Sequence, residues 1–261
     1  MIHESITYDQ PPKWQEKMLS DYTAAEKRVF LFDYDGTLAP FVDKPELAEP
    51  SARVKKSLGQ LTSQKQTEVV IISGRDKSDL SKWFKDIPVT LIVGHGSFIR
   101  HAGQQQWQEI GSHDISWQPA VLDILDECAS KVPDSFVEHK TTSLVWHYRV
   151  ANPSQVQEYL PQLRQSLQPN ANELGLKIED GSMILEVMPK GIDKGTAAME
   201  YSKDADFVLA IGDDITDEAM FKALPPTAWT IKVGTNDTAA RNRVQDVEAV
   251  HNLLDQFNKV Y

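Results

Sequence analysis

Residues 29–38 read VFLFDYDGTL, in which four apolar residues run directly into a pair of aspartates and a glycine. An unbroken apolar run of this length predicts a strand that is buried on both faces, as in a parallel sheet. In an extended chain, Asp33 and Asp35 point to one side and Tyr34 to the other. Two carboxylates this close repel each other unless a cation or a shared proton stabilises them. The stretch therefore predicts a strand that ends in a charged site, with Gly36 allowing the backbone to turn tightly.

Four further apolar runs repeat this arrangement, and each ends at a polar or glycine-containing turn. They span residues 69–72, 91–93, 207–211 and 228–233. Apolar positions at helical spacing lie between several of them, in residues 51–65 and 217–224. Alternating strands and helices predict an α/β fold, a doubly wound, Rossmann-like parallel sheet. Because such sheets bind ligands beyond the carboxyl ends of their strands, we expect Asp33, Ser73 and Asp213 to meet there.

The pattern changes between residues 112 and 188. Helical spacing and strand-like runs are mixed there, with helices expected at 121–129 and 156–167 and strands at 135–139, 144–150 and 183–188. This mixture predicts an α+β domain inserted between the third and fourth strands of the first domain. We therefore predict a core domain of residues 1–111 and 189–261 and a smaller cap domain of residues 112–188. Residues 1–28 are polar, with a helix expected near 14–22, and their role cannot be inferred from the sequence.

The composition limits the functional class of the protein. Hydrophobic residues make up 41% and charged residues 25%, as is typical of a globular protein. The 38 acidic and 27 basic residues give a net charge of −11, which argues against nucleic acid or an anionic membrane as a partner. The single cysteine, Cys128, excludes an internal disulfide and is typical of a reducing compartment. Residues 1–20 contain no secretory apolar region, and no apolar run is long enough for a membrane span, so we expect a soluble, cytoplasmic protein.

A second acidic cluster follows the apolar run at 207–211. Residues 212–218 read GDDITDE and carry four acids in six positions. A charge run usually marks a solvated surface, but one that follows a buried strand is suited to a hard cation. Oxygen ligands without a nearby His or Cys cluster favour Mg²⁺ over zinc. The motif at 33–36 does not fit a calcium loop, because its glycine is the fourth residue rather than the sixth.

Three other motifs each have an ordinary structural interpretation. Ser73, followed by Gly74 and Arg75, offers a hydroxyl and N–H groups that could hold phosphate, although a Ser-Gly pair after a strand is usually only a turn. Residues 194–196, KGT, lack the residue order of a Walker loop, and Lys194 alone would begin a solvated helix. Residues 94–96, GHG, lack the third glycine of a dinucleotide-binding fingerprint.

Taken together, these elements resemble the haloacid dehalogenase-like phosphatase superfamily. The matching motifs are Asp-x-Asp-Gly-Thr at 33–37, Ser73, Lys194 and Gly-Asp-Asp-x-x-Asp at 212–217. Within that superfamily, residues 28–250 are similar to the trehalose-6-phosphate phosphatase family. The similar strings are FDYDGTL at 32–38, ISGRD at 72–76, HG at 95–96, E-x-K at 138–140, WHYR at 146–149, LEV at 185–187 and GDDITDE at 212–218.

The resemblance implies catalytic roles for four core residues. Asp33 would attack the phosphorus atom and become an aspartyl phosphate. Asp35 would protonate the leaving sugar oxygen and then deprotonate water. Ser73 and Lys194 would hold the phosphoryl oxygens. The remaining core residues that would bind substrate are Gly36, Thr37, Gly74, Arg75 and His95.

The resemblance also implies a metal site and a sugar site. Mg²⁺ would be held by Asp33, the Asp35 carbonyl and Asp213, with Asp214 and Asp217 in support. In the predicted cap, the residues expected to contact sugar hydroxyls are Glu138, Lys140 and Glu186. Without the resemblance, these three side chains would equally suit ion pairs on an exposed sheet.

Two positions depart from the family pattern. Gly94 stands where members often have Asn or Glu, and Ser182 stands where many have a lysine that could contact the sugar. We expect an Mg²⁺-dependent phosphatase for trehalose 6-phosphate. The alternatives are the same reaction on sucrose phosphate or glucosylglycerol phosphate, and a non-catalytic module that binds sugar phosphate. The chain contains no recognisable glycosyltransferase domain, so any association with a trehalose-phosphate synthase is expected to involve a separate protein.

Overall fold

Strands and helices alternate along most of the chain. The computed structural model describes residues 12–42, 44–110, 114–191 and 193–260. Within these ranges the strands are β1 (Arg28–Phe32), β2 (Thr67–Ile72), β3 (Thr90–Val93), β4 (Phe98–Arg100), β5 (Gln108–Glu109), β6 (Phe136–His139), β7 (Leu144–His147), β8 (Leu176–Gly181), β9 (Ile184–Pro189), β10 (Phe207–Gly212), β11 (Trp229–Val233) and β12 (Asn242–Val244). The helices are α1 (Lys13–Ala24), α2 (Ala52–Ser63), α3 (Lys77–Trp83), α4 (Gln118–Lys131), α5 (Pro153–Glu173), α6 (Lys194–Ser202), α7 (Asp217–Ala223) and α8 (Val247–Lys259).

Two parts of the predicted organisation fall wholly or partly outside these ranges. Residues 1–11 of the polar N-terminal segment are not among the described residues, and neither is the predicted boundary between residues 111 and 112. The helix expected near residues 14–22 is α1. Among the helices that the structure describes, none is both long enough and apolar enough to cross a bilayer.

The larger sheet has eight strands in the order β12-β11-β10-β1-β2-β3-β4-β5. The strands from β12 to β3 run parallel, and β4 and β5 are antiparallel at one edge. Helices α1, α2, α3 and α8 contribute to the apolar cluster on one face, and α6 and α7 to the cluster on the other. The predicted doubly wound α/β fold is therefore confirmed, and unbroken apolar runs such as residues 29–32 are buried on both faces of the sheet.

The register of this sheet aligns the carboxyl ends of its three central strands. Phe32 at the end of β1 lies opposite Ile211 of β10 on one side and Ile71 of β2 on the other. The backbone N–H of Asp33 extends the pairing by donating to the carbonyl of Ile211 at 2.9 Å. The polar turns that follow β1, β2 and β10 therefore lie side by side at one edge of the sheet.

The inserted segment forms an antiparallel sheet in the order β6-β7-β9-β8, and α4 and α5 pack against it. It has its own apolar cluster, which includes Leu125, Trp146 and Leu163. Strand β8 was not predicted from the sequence, because its residues are mostly half-buried and do not form an apolar run. The expected strand at 144–150 ends at His147, where the chain turns.

The predicted point of insertion needs a correction. Two short strands, β4 and β5, follow β3 before the inserted segment begins, so that segment lies between the fifth and sixth strands of the larger sheet rather than between the third and fourth. Both were missed because they are only three and two residues long. The two residues of β5, Gln108 and Glu109, are also exposed and polar, so the sequence carries no apolar signal there.

Candidate active site

A cleft of about 210 Å³ opens where the inserted unit faces the carboxyl end of the larger sheet. The larger unit contributes Asp33, Asp35, Ser73, Gly74, Arg75, His95, Lys194 and Asp214 to its wall. The inserted unit contributes Glu138, Lys140 and Glu186, together with His147 and Arg149. Most of the residues singled out in the sequence therefore line one cavity, although they come from distant parts of the chain.

Lys194 connects two aspartates at the base of the cleft. It is the first residue of α6, which begins there because the Asp193 side chain caps the helix by accepting the N–H of Thr196. The Lys194 Nζ atom lies 2.5 Å from Oδ1 of Asp33 and 2.8 Å from Oδ1 of Asp217. Burial alone would lower the pKa of Lys194, but the two carboxylates outweigh it and raise the pKa, so the side chain stays a cation. Lys194 is only 2% exposed, which excludes the solvated helix start considered above.

Three carboxylates converge beside this lysine. Asp33, Asp213 and Asp217 each offer an oxygen, and these atoms all lie within 4.8 Å of one another. Burial is the largest cause that raises the pKa of Asp33 and of Asp213, and repulsion from the neighbouring carboxylates raises both further. A Cβ atom at Gly36 would lie 2.3 Å from a carboxylate oxygen of Asp213, so a residue without a side chain is required there. Three acids against one lysine leave excess negative charge on hard oxygen donors, which fits Mg²⁺.

The carboxylate of Asp217 fixes the backbone of the acidic loop, residues 212–218. Its Oδ2 atom accepts the backbone N–H groups of Asp213 at 2.9 Å and Asp214 at 3.0 Å, while its Oδ1 atom accepts from Lys194. Lys232, only 1% exposed, donates to the carbonyl of Asp214 at 3.1 Å. Lys232 was not predicted as a site residue, although a lone lysine within the apolar run at 228–233 was a usable signal.

Asp35 forms an ion pair with Arg75 at the side of the cleft. The Nε and Nη2 atoms of Arg75 each lie 2.7 Å from a different oxygen of the Asp35 carboxylate. The Nη1 atom donates to Asp79, one turn into α3, at 2.9 Å. Arg75 was predicted from the sequence to bind substrate. Asp79 was not singled out, although its spacing of four residues from Arg75 suits an ion pair.

The other core residues that were predicted to contact the substrate or its phosphate are buried to different depths. Ser73, 1% exposed, lines the cleft, and its hydroxyl accepts the backbone N–H of Arg75 at 3.1 Å. Gly74 is packed against His95, because a Cβ there would lie 2.3 Å from the imidazole Nε2 atom. Thr37 is fully buried and donates to Asp213 at 3.4 Å, so it lies behind the cleft wall. Gly36 lines a neighbouring pocket on the far side of Asp213.

Glu186 joins the two units across the cleft. It accepts from Ser143 at 2.5 Å and from Lys140 at 3.4 Å within the inserted unit, and its Oε2 atom lies 3.0 Å from Nε2 of His95 in the larger one. Burial would raise the pKa of Glu186, but the charge of Lys140 and the contact with His95 outweigh it and hold the pKa well below its usual range. Glu138 faces the same cleft and lies 2.7 Å from His147.

The turn between β6 and β7, residues 140–143, is the docking turn of the inserted unit. The Lys140 Nζ atom donates to the carbonyl of Gly74 at 2.9 Å. The backbone N–H and hydroxyl of Thr141 donate to one oxygen of Asp76 at 3.0 and 2.8 Å. The hydroxyls of Thr142 and Ser97 lie 3.0 Å apart. The sequence did not reveal these contacts, which hold the inserted unit over the turns that follow β2 and β3 in the larger one.

Ser182 is one of the two positions that depart from the family pattern, and it contacts Arg149 of the inserted unit. Arg149 donates to the carbonyl of Ser182 at 2.6 Å, and its guanidinium lies 5.1 Å from the ring centroid of Phe41 in the larger unit. Arg149 therefore also connects the inserted unit to the larger one, and it forms part of the cleft wall.

Comparison with known sequences identifies the family of the chain. A sequence model of the trehalose-phosphatase family matches residues 31–248. The chain belongs to the trehalose-phosphatase family. The match includes both strand-end aspartate motifs and the whole inserted unit, and the resemblance noted in the sequence is thereby confirmed.

Individual members of the trehalose-phosphatase family agree with this assignment. The bifunctional trehalose-6-phosphate synthase/phosphatase of Thermoproteus tenax is 38% identical over 244 residues, covering 93% of this chain and 33% of the relative. The trehalose-phosphatase of Saccharomyces cerevisiae is 35% identical over 241 residues, covering 82% of this chain and 27% of the relative. The chain thus spans about a third or less of the length of these curated relatives.

A solved structure from the trehalose-phosphatase family shares the fold. The C-terminal domain of trehalose-6-phosphate phosphatase from C. albicans superposes with a TM-score of 0.90 at 30% identity. The match covers 96% of this chain and 99% of that domain. The combination of a doubly wound core and an inserted α+β unit is therefore common to both proteins.

Proposed function

We propose that this protein hydrolyses trehalose 6-phosphate to trehalose and inorganic phosphate through an aspartyl-phosphate intermediate. The observation that carries the proposal is the contact of Asp33 with Lys194 beside a cluster of carboxylates, at the base of a cleft with polar walls. A nucleophile, a cation and a metal-binding loop are the parts that phosphoryl transfer requires. Membership of the trehalose-phosphatase family supports the choice of substrate.

In the first step, a carboxylate oxygen of Asp33 attacks phosphorus as the bond to the sugar oxygen breaks. Asp35 gives its proton to that leaving oxygen, so trehalose departs as a neutral alcohol. Lys194 and the hydroxyl of Ser73 hold the phosphoryl oxygens. Both lie in the wall of the same cleft, and their burial strengthens each electrostatic contact.

In the second step, water attacks the aspartyl phosphate and releases inorganic phosphate. Asp35, now a carboxylate, takes a proton from the attacking water, and the Asp33 carboxylate is regenerated. In this proposal Asp33, the Asp35 carbonyl and Asp213 hold Mg²⁺, while Asp214 and Asp217 support the loop. Bound Mg²⁺ supplies positive charge that offsets the repulsion between the Asp33 carboxylate and the phosphate.

The inserted unit acts in this proposal as a cap that recognises the sugar. Glu138, Lys140 and Glu186 line the cleft from above, which supports a role in contacting the hydroxyls of the disaccharide. The contacts of the docking turn keep the cap closed over the cleft, where the reacting phosphate is shielded from bulk solvent. Coupling to a trehalose-phosphate synthase is also proposed, since the T. tenax relative carries both activities in its name.

A panel of sugar phosphates tests the proposed reaction. We expect phosphate release from trehalose 6-phosphate in the presence of Mg²⁺, with kcat/KM well above that for sucrose phosphate, glucosylglycerol phosphate or glucose 6-phosphate. A higher kcat/KM for one of the other esters would replace the substrate and keep the reaction. Binding of trehalose 6-phosphate with no phosphate release, under any metal condition, would instead support a non-catalytic module.

Substitutions in the cap test its role in substrate recognition. We expect Glu138→Gln to lower kcat/KM for trehalose 6-phosphate by about ten- to a hundredfold, the scale of one hydrogen bond to a charged group. Hydrolysis of 4-nitrophenyl phosphate should change far less, because this small ester does not reach the cap contacts. Steady-state kinetics with both esters provide the measurement.

The control for these variants is Lys131→Met, which removes an exposed cap lysine bonded to Glu127 outside the cleft. It should leave both reactions unchanged. Lys140→Met and Glu186→Gln are best measured separately, because Lys140 also donates to Gly74 and Glu186 also contacts His95 across the cleft, so the loss of either would weaken cap docking. Equal losses on the disaccharide phosphate and the small ester would show that the cap residues support the core site and do not recognise the sugar.

A further inference from the structure

Arg75 and Asp35 form a bidentate ion pair, a geometry that requires a guanidinium group. Its Nε and Nη2 atoms donate in parallel to the two oxygens of the Asp35 carboxylate, both at 2.7 Å. Parallel charge-assisted hydrogen bonds of this kind fix the plane of the carboxylate as well as its position. The Asp35 side chain is 28% exposed and faces the cleft, so without the arginine it would be free to rotate into solvent.

The arginine is itself immobilised from several directions. Its side chain is only 10% exposed, and its guanidinium lies 4.8 Å from the ring centroid of Trp83 and 5.5 Å from that of Tyr34. Asp79 accepts from its Nη1 atom at 2.9 Å. Its backbone N–H donates to the Ser73 hydroxyl and its carbonyl accepts from Gly94. A group this firmly held can impose its geometry on Asp35.

We propose that Arg75 is a positioning residue for Asp35, and that it acts on the leaving-group step and does not bind the phosphate. This inference rests on the proposed function, in which Asp35 is the general acid and general base. Arg75 holds the Asp35 carboxyl group in the orientation from which its proton reaches the sugar oxygen. The guanidinium also faces the negative charge that Asp35 acquires when it has given that proton away.

The proton balance of the reaction explains why such a cation is needed. In the first step the P–O bond to the sugar breaks, the Asp33–phosphorus bond forms, and the proton of Asp35 moves to the sugar oxygen. Asp35 is then a carboxylate until water transfers a proton back to it in the second step. Arg75 stabilises Asp35 while it is a carboxylate, because both hydrogen bonds from the guanidinium are strongest to the carboxylate form.

The alternative is that Arg75 contacts the substrate phosphate, as the sequence analysis expected. The described geometry favours the positioning role, because each of the three guanidinium nitrogens donates to Asp35 or Asp79. Lys194 also supplies a buried cation next to Asp33, where the phosphorus must be attacked. The two roles differ in one measurable property, which is the dependence of rate on the leaving group.

A series of ring-substituted phenyl phosphates measures that dependence at nearly constant size. In kcat/KM, which reports the first step, a general acid matters most for poor leaving groups. We expect Arg75→Met to lower kcat/KM for phenyl phosphate by about 10²-fold, the scale of a misplaced reacting group. For dinitrophenyl phosphate, whose leaving group needs no proton, the loss should be small. The plot of log kcat/KM against leaving-group pKa should therefore become steeper.

Asp35→Asn provides the reference for this change. It should steepen the same plot, with a loss of about 10²- to 10⁴-fold on phenyl phosphate. Because Arg75 acts through Asp35, the double variant should lose no more than Asp35→Asn alone. Arg75→Lys keeps the charge without the parallel donors, so its plot should lie between those of the parent and Arg75→Met. If Arg75→Met does not fold, the lysine variant carries the test.

The matched control is Arg53→Met, which removes an arginine bonded to Asp255 and Glu248 on α8, away from the cleft. Its plot should coincide with that of the parent. An unchanged slope with equal losses for all esters in the Arg75 variants, or unchanged rates, would overturn the positioning role. Losses that multiply in the double variant would also overturn it. A parent protein that releases phosphate from no ester would instead overturn the proposed function itself.

Discussion

Replacing Asp33 with asparagine is expected to abolish phosphate release while leaving the fold intact. The amide has the shape of the carboxylate but is not a nucleophile, so kcat should fall by on the order of 10⁴-fold or more. Burial and neighbouring acids raise the pKa of Asp33, which shows that its charge is costly in the metal-free protein. The free energy of unfolding of metal-free Asp33→Asn should therefore equal or exceed that of the parent.

The measurements are phosphate release from trehalose 6-phosphate and thermal unfolding of the same preparations. Asp206→Asn is the control, because it makes the same chemical change at the amino end of β10, where the side chain accepts the N–H of Lys27 away from the cleft. It should keep full activity. Phosphate release close to the parent rate by purified Asp33→Asn would refute the nucleophilic mechanism.

Treatment with a chelator is expected to remove turnover, and added Mg²⁺ to restore it. The physical reason is the excess of carboxylates over cations around Asp33, Asp213 and Lys194, which a divalent ion would relieve. Ca²⁺ prefers more ligands at longer distances, so it should bind yet support little turnover. Titration calorimetry of Mg²⁺ into the metal-free protein gives a second readout that does not depend on activity.

Asp213→Asn should weaken Mg²⁺ binding in the calorimeter and raise the Mg²⁺ concentration needed for half-maximal activity. The Asp206→Asn protein again serves as the control and should bind Mg²⁺ like the parent. Full activity in excess chelator would contradict the metal role given to Asp213. If the Asp213 variant binds Mg²⁺ as tightly as the parent, we would conclude that other residues of the acidic loop hold the metal.

The central strands of the larger sheet could be predicted within one or two residues from the sequence. Residues 29–32, 69–72 and 207–211 are unbroken apolar runs, because both faces of each strand are covered. The strands at the edges of the two sheets were harder to predict. Strand β5 is exposed and strand β8 is only partly buried, so neither needs an apolar run, and no periodicity marked them.

The core of the candidate site could also be predicted, since its residues follow the strands whose carboxyl ends must meet. What could not be predicted is how those residues pair. Asp35 and Arg75 are 40 residues apart, and Thr141 and Asp76 are 65 apart. Such pairs are set by the packing of whole elements, and a side chain such as Arg75 fits either substrate binding or positioning until its partners are known.

The pairing of β1 with β10 joins residues 28–32 to residues 207–211, and it encloses the whole inserted unit within one loop of the chain. The entropy lost in closing a loop grows only with the logarithm of its length, by about 0.6 kcal/mol per doubling. An insertion with its own apolar cluster can thus grow or shrink at little thermodynamic expense while its ends stay close. The folding rate is affected more strongly, because pairing between residues far apart in the sequence slows folding. Asp33 and Lys194, 161 residues apart, cannot meet until this pairing exists, so recovery of activity during refolding reports completion of the central sheet.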